Sequence, residues 1–298
     1  MTSPRRVVID TDPGLDDAVA ILFALASSRF DIRGVTTVAG NIGLATTTRN
    51  AGRLLALLDR EAIPVVSGAA SPLARRGIDE VRIHGDDGLG GVDLPEPRVP
   101  ALAGAADWLA GQLTAAPAGS IDVLALGPLT NIALLLRTHP DAARRIGRLV
   151  VMGGAVNEKG NVGARSEFNF ASDPEALDIV LRAGLALTII PLDVTRRVRA
   201  TPDYVAALRQ GGTASRAAAD LVAAYFLGGR ESRPLHDPCV MLYAVAPELF
   251  GVDRMAVSVD LTTDPGALLV DGPMAVPVDI AMRVDPDAAL QLLRAGLA

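Results

Sequence analysis

Val7-Val8-Ile9-Asp10-Thr11-Asp12-Pro13-Gly14-Leu15-Asp16-Asp17-Ala18 is a short apolar run that ends in four aspartates within eight residues and then opens into an apolar segment. The run reads as a buried strand and the segment behind it as a helix. Carboxylates so close repel one another, so the arrangement holds only if some are protonated, well solvated or neutralised by a bound cation. A hard divalent ion with oxygen ligands is the economical answer. Helix capping accounts for one or two of the four. Asp10 and Asp12 stand two apart on an extended segment and therefore point to the same side.

Outward from this stretch, β-branched runs alternate with Ala/Leu-rich segments, the pattern of strand, crossover helix and parallel strand. Strands are expected at 6–9, 32–38, 63–66, 121–126, 149–152 and 187–190, and helices at 16–27, 44–58, 103–114, 130–137, 174–183, 202–209 and 214–227. The near-continuous apolar strands predict an α/β fold, an open, mostly parallel, Rossmann-like sheet flanked by helices. Residues 255–280, with turns at Asp264-Pro265-Gly266 and Asp271-Gly272-Pro273, predict a small added antiparallel piece, and 287–297 a closing helix. No linker or repeat divides the chain, so a single domain over 1–298 is expected.

Half of the 298 residues are hydrophobic, ample for a large core. A net charge of −6 and the absence of a Lys/Arg cluster along the chain argue against a nucleic-acid partner. Cys239 is the one cysteine, which rules out an internal disulfide or a multi-cysteine metal site and suits a reducing cytosol. No apolar run near the N-terminus approaches the roughly 20 residues of a membrane span, so a soluble, cytoplasmic protein without membrane association is expected.

In an open parallel sheet, ligands bind beyond the carboxyl ends of the strands. Polar clusters fall at such places: Asp10-Thr11-Asp12, Gly40-Asn41, Gly127-Pro128-Leu129-Thr130-Asn131, Gly153-Gly154 and Asp193. A further cluster carries Asn161, Glu167 and Asn169. If Glu167-Phe168-Asn169 is extended, its two polar side chains share one side and suit hydroxyl recognition. In His236-Asp237-Pro238, Asp237 reads as an N-cap and Pro238 as the first helical residue. An N-cap carboxylate can also coordinate a metal, and His236 beside it can exchange a proton near neutrality. His84 is a second such candidate, in a Gly/Asp loop, whereas His139 reads as part of a turn. No P-loop, Gly-x-Ser-x-Gly elbow or His-Glu-x-x-His motif is present.

Asp10 through Ala18 closely resembles the signature of the nucleoside hydrolases, the calcium-dependent N-ribohydrolases of the inosine-uridine-preferring type. The resemblance continues in order through Val35-Thr36-Thr37-Val38-Ala39-Gly40-Asn41, Gly127–Asn131, Met152-Gly153-Gly154, Glu167-Phe168-Asn169 and His236-Asp237-Pro238. It implies hydrolysis of a ribonucleoside to ribose and free base. Asp12, Asp17, Asp237 and the Leu126 carbonyl would ligate Ca²⁺, with Asp12 also the general base and Asp10 in support. Asp16 and Asn169 would hold the ribose 2′-hydroxyl, Asp237 the 3′-hydroxyl, and Asn161 with Glu167 the 5′-hydroxyl. Asn41 would orient the carboxylates or the sugar, His236 would donate to the departing base, and His84 is a further candidate for contact with the substrate. The resemblance also implies a homodimer or homotetramer.

Two alternatives start from the same residues. Haloacid-dehalogenase-like phosphatases also begin with a strand and Asp-x-Asp and use Mg²⁺, but Pro13-Gly14-Leu15-Asp16-Asp17 departs from their pattern. A non-catalytic calcium- or ribose-binding protein would be expected to have lost the base or the donor, yet Asp12 and His236 are both present. The segment 228–235 is short and non-aromatic where the family often contacts the base, and Tyr225 and Phe226 are expected chiefly to pack their helix.

Overall fold

The computed structural model describes residues 4–226 and 232–298; the first half of the segment 228–235, with Leu227, lies outside them. Its framework is a ten-stranded sheet. The strands are β1 (Arg5–Thr11), β2 (Phe30–Thr37), β3 (Val65–Ser67), β4 (Leu102–Ala103), β5 (Ile121–Ala125), β6 (Ile146–Met152) and β7 (Leu187–Ile190), with β10 (Phe250–Val259), β11 (Leu268–Val270) and β12 (Val276–Val284). A separate antiparallel pair is formed by β8 (Arg199–Ala200) and β9 (Arg233–Pro234).

The order across the sheet is β11-β10-β12-β7-β6-β5-β1-β2-β3-β4, parallel except that β10 runs against both neighbours. From β1 the chain winds through β2, β3 and β4 on one side, then returns to the other side of β1 as β5. The winding therefore reverses between β1 and β5, where a crevice opens at the carboxyl ends of the strands. Asp10 and Thr11 close β1 and Leu126 follows β5, so the aspartate-rich stretch stands at that reversal.

Alternation along β1 feeds both layers of core. Val7 and Ile9 pack on one face with the helix Leu15–Ala26, and Val8 packs on the other with Leu109, Ile132 and Leu177. Every residue from Leu15 to Leu25 is buried, as expected of a helix apolar around its circumference. Its neighbours are the helices Thr213–Tyr225, Pro238–Val245 and Pro286–Leu297. Gly14 precedes the first turn, and its N–H donates to Asp17, 3.1 Å away. This buried helix thus points its N-terminus, with Asp16 and Asp17, at the crevice.

The parallel sheet and the flanking helices follow the sequence-based expectation. The C-terminal antiparallel part is continuous with the main sheet, because β12 pairs in parallel with β7 while accepting β10 on its other edge. Cys239 is buried, its thiol donating to the Leu235 carbonyl. Among the described residues no helix is long and apolar enough to cross a membrane.

Candidate active site

At the crevice lies a cavity of about 410 Å³ whose walls include Asp16, Asn41, Leu126, Asn161, Glu167, Asn169, His84, His236 and Asp237. Residues singled out at six places along the chain therefore meet around one space. Asp10, Asp12 and Asp17 lie beneath it, all wholly buried.

The floor is a set of carboxylates with unequal surroundings. Asp17 accepts from the Thr11 hydroxyl at 2.6 Å, from the Gly14 N–H at 3.1 Å and from Asn41 Nδ2 at 3.0 Å. Asp12 Oδ2 accepts the Asn41 N–H at 2.7 Å, whereas Asp12 Oδ1 is buried and has no hydrogen-bond partner among the described residues. Gly40 and Gly127 flank this carboxylate so closely that a Cβ on either would collide with it. Asp10 is held by Thr36 at 2.5 Å and Asn131 at 2.8 Å, with Oδ2 left unpartnered. Asn41 thus bonds to both Asp12 and Asp17.

Asp16, Asp17 and Asp237 each offer an oxygen within 4.8 Å of the other two, a spacing that can hold a metal ion. Asp237 precedes the helix Pro238–Val245 with Pro238 at its first position, as expected, but its side chain makes no capping bond. That carboxylate therefore remains available for an ion. Asp16 was expected on the sugar rather than the metal, and Asp12 stands beside the triad rather than in it. An orphaned buried oxygen next to three clustered carboxylates fits a divalent cation with oxygen donors.

Burial is the leading cause of the electrostatic strain here. It raises Asp10 to about 6, Asp16 to about 7 and Glu167 to about 7, and it pushes Asp12 and Asp237 well above the ordinary carboxylate range. Repulsion from Asp17 adds to the shift of Asp12 and Asp16. His84 is lowered to about 4 by burial, and His236 to about 3 by burial and then by Arg196, Arg199 and Arg233. Both imidazoles are neutral at pH 7.

These shifts set a pH dependence for the metal-free protein. A carboxylate whose pKa is raised by folding stabilises the fold below its unfolded value near 4, and that contribution is lost as pH rises through 6–7. The two histidines act in the opposite sense, stabilising the fold more as pH rises toward about 6.5, but the five raised carboxylates outnumber them. In chelator, the thermal midpoint should fall by roughly 5 °C between pH 5 and pH 7.5. Saturating divalent cation should remove most of that slope, because binding favours the ionised carboxylates. A chelated midpoint that is flat or rises over this window would overturn the account.

Glu167-Phe168-Asn169 is not extended. Glu167 caps the short helix Phe168–Ser172, its carboxylate accepting the N–H groups of Asn169 at 2.9 Å, Phe170 at 3.2 Å and Gly154 at 3.1 Å. The free N–H groups of that first turn draw the carboxylate in. Asn169 spends its Nδ2 on the Leu126 carbonyl at 2.6 Å, and among the described residues its Oδ1 accepts no hydrogen bond. Asn161 accepts from the Phe168 N–H at 2.8 Å, so the loop that carries it closes onto the same helix.

That loop is tethered from two sides. Asp193 accepts the N–H groups of Val156 and Asn157, and Arg196 donates to the carbonyls of Lys159 and Gly160. From the C-terminal antiparallel part, Asp264 accepts the Arg165 N–H at 2.7 Å and the Ser166 hydroxyl at 2.6 Å.

His84 closes a short helix, Val81–His84, rather than lying in a loop, and its Nδ1 accepts the Leu15 N–H at 3.0 Å. His236 Nδ1 is 2.7 Å from the Thr195 hydroxyl. His139 stands away from the cavity, against Asp107. Tyr225 does more than pack its helix: it lines the cavity beside His84, beneath the Arg233 guanidinium. Arg82, Arg196, Arg199 and Arg233 line the same cavity; Arg196 and Arg199 come from the short basic run Arg196-Arg197-Val198-Arg199, an exception to the expected absence of a Lys/Arg cluster, and distant segments add the other two. Thr11 and Asn131 sit inside the quoted motifs and could have been found there; Thr195 has no local signal.

A sequence model of the family described as inosine-uridine preferring nucleoside hydrolase matches residues 7–291. A pyrimidine-specific ribonucleoside hydrolase RihA from Shewanella woodyi is 40% identical over 264 residues, 86% of this chain and 84% of that protein. A non-specific ribonucleoside hydrolase RihC from Escherichia coli is 38% identical over 291 residues, 94% and 93% of the two chains. Among solved structures, a plant nucleoside hydrolase, the PpNRh1 enzyme, superposes with a TM-score of 0.88 at 33% identity, covering 99% of each chain. A purine-preferring ribonucleoside hydrolase from Gardnerella vaginalis gives 0.91 at 28% identity, covering 98% of each.

Proposed function

The chain belongs to the inosine-uridine preferring nucleoside hydrolase family and hydrolyses ribonucleosides to ribose and free base, and from that premise we propose how its pocket does so. The observation that carries the reading is the orphaned Asp12 Oδ1 beside a triad of converging carboxylates.

We assign Ca²⁺ to this floor, held by Asp12, Asp17, Asp237 and the Leu126 carbonyl, an all-oxygen set suited to a hard ion. When bound, the ion neutralises the aspartates, makes a neighbouring water more acidic and anchors a sugar diol. Asp12 Oδ1 takes the proton of the attacking water as its oxygen adds to the anomeric carbon and the C–N bond breaks. Asp10 supports that group from beneath. Positive charge building on the ribose is met by preorganised carboxylates, which stabilise an oxocarbenium-like transition state. Asp16 and Asn169 Oδ1 hold the 2′-hydroxyl, Asp237 the 3′-hydroxyl, and Asn161 with Glu167 the 5′-hydroxyl. His236, neutral at pH 7, offers a hydrogen bond from a ring N–H to the departing base and keeps its own hydrogen, and His84 lines the same region. That bond stabilises the developing negative charge until solvent water protonates the released base.

Family resemblance alone carries the remaining parts of the reading: one unit spanning 1–298, a homodimer or homotetramer, and a cytoplasmic setting. The test is a panel of inosine, uridine, cytidine and adenosine assayed for free ribose with chelator and with added Ca²⁺. Ribose should be released from at least one, chelator should stop it and Ca²⁺ should restore it. No ribose from any member, or phosphate released from nucleotides instead, would sink the reading.

A further inference from the structure

Thr195 is wholly buried, lies in the four-residue helix Leu192–Thr195, and brings its hydroxyl within 2.7 Å of His236 Nδ1. A helical threonine commonly turns its hydroxyl back to the carbonyl of the preceding turn. Here that carbonyl, on Pro191, takes the N–H groups of Val194 and Thr195 instead. Among the described residues, His236 Nδ1 is the one hydrogen-bond partner of Thr195 Oγ1. If the ring donated to the hydroxyl, the buried O–H would have no acceptor and its full desolvation would count against the fold. The hydroxyl therefore donates, Nδ1 accepts, and the hydrogen of the neutral ring sits on Nε2.

We propose that Thr195 is a positioning residue that holds His236 as its Nε2–H tautomer, so that a pocket-lining imidazole presents a hydrogen rather than a lone pair. The helix turn that carries Thr195 is itself fixed, since Asp193 and Arg196 on either side of it are bonded to the backbone at 156–157 and 159–160. His84 shows the same solution by an independent route. Its Nδ1 accepts from the Leu15 backbone N–H, a group that can only donate, so its hydrogen is also on Nε2. Two histidines from distant segments thus face one cavity in the same tautomer. The catalytic consequence of the Thr195 contact rests on reading His236 as the donor to the leaving base.

The experiment compares the full-length wild type with Thr195→Val and Thr195→Ser. Heteronuclear NMR of protein labelled in its three histidine rings reports which nitrogen carries the hydrogen. Steady-state kinetics are measured on a nucleoside and on p-nitrophenyl riboside, whose leaving group needs no donor. Wild type and Thr195→Ser should show His236 with hydrogen on Nε2. Thr195→Val should lose that pattern and lose roughly 10- to 100-fold in kcat on the nucleoside. Its KM should be unchanged, and its turnover of p-nitrophenyl riboside should stay within about twofold. Retention of the Nε2–H pattern in Thr195→Val overturns the proposal whatever the kinetics. A changed tautomer with equal losses on both substrates upholds the positioning and overturns His236 as the donor, which separates the two readings.

Discussion

Asp12→Ala should lower kcat by at least roughly 10³-fold on every nucleoside the enzyme turns over, because the substitution removes both the proton acceptor and a carboxylate of the cation site. The decisive control is Asp12→Asn, measured for stability in chelator as well as for activity. Asp12 is wholly buried, its pKa is raised by burial and by Asp17, and one oxygen lacks a partner. Removing its charge therefore relieves the metal-free fold rather than weakening it. Asp12→Asn should melt at or above the wild-type temperature in chelator while remaining inactive. Activity near the wild-type level in either variant would remove Asp12 from the role of base. Inactivity accompanied by a large drop in melting temperature would show instead that the residue holds the structure.

The second large effect is selective for the leaving group. His236→Ala should reduce kcat on nucleosides by roughly 10²–10⁴-fold, the range for loss of a positioned donor. On p-nitrophenyl riboside, whose phenolate leaves without help, the loss should stay below about tenfold. His236 makes this contrast readable because the ring bonds to Thr195, and its own backbone N–H lies 3.3 Å from Asp16 Oδ2. The ring can be deleted without removing a carboxylate from the floor. Equal losses on both substrates would mean that the histidine shapes the site without donating.

Much of this site could be read from the chain because parallel sheets concentrate function at strand ends. Asp10, Asp12, Asn41 and Leu126 fall where β1, β2 and β5 end, each at or a few residues beyond the end of a strand. The carboxylate cluster also announced itself by proximity in sequence. Glu167 did not: its helix, Phe168–Ser172, is five residues long, too short to display a helical period, so a cap was read as an extended segment. The arginines at 82, 196, 199 and 233 were missed for a different reason. Arg196 and Arg199 stand in the short run Arg196-Arg197-Val198-Arg199, but its place beside a pocket has no local signal, and the pairing of β8 with β9 and the turn after β7 bring three of the four to one wall. Thr195 belongs to the same class, a residue whose partner lies 41 positions away. The attachment of the C-terminal strands was likewise unreadable, because alternation predicts that strands exist but not which edge they join.

The two-sided tethering of the loop bearing Asn161 also bears on the order in which the protein is made. Asp16 meets the His236 N–H across 220 residues, and Arg165 meets Asp264 across 99. A chain emerging from the ribosome therefore assembles the aspartates of β1 long before it has the wall that encloses them. Contacts of such long range form late, after the loops between them have closed. The pocket is completed only after Asp264 has been made, and until β10 and its following turn have docked, the growing chain carries an acidic groove open on one side.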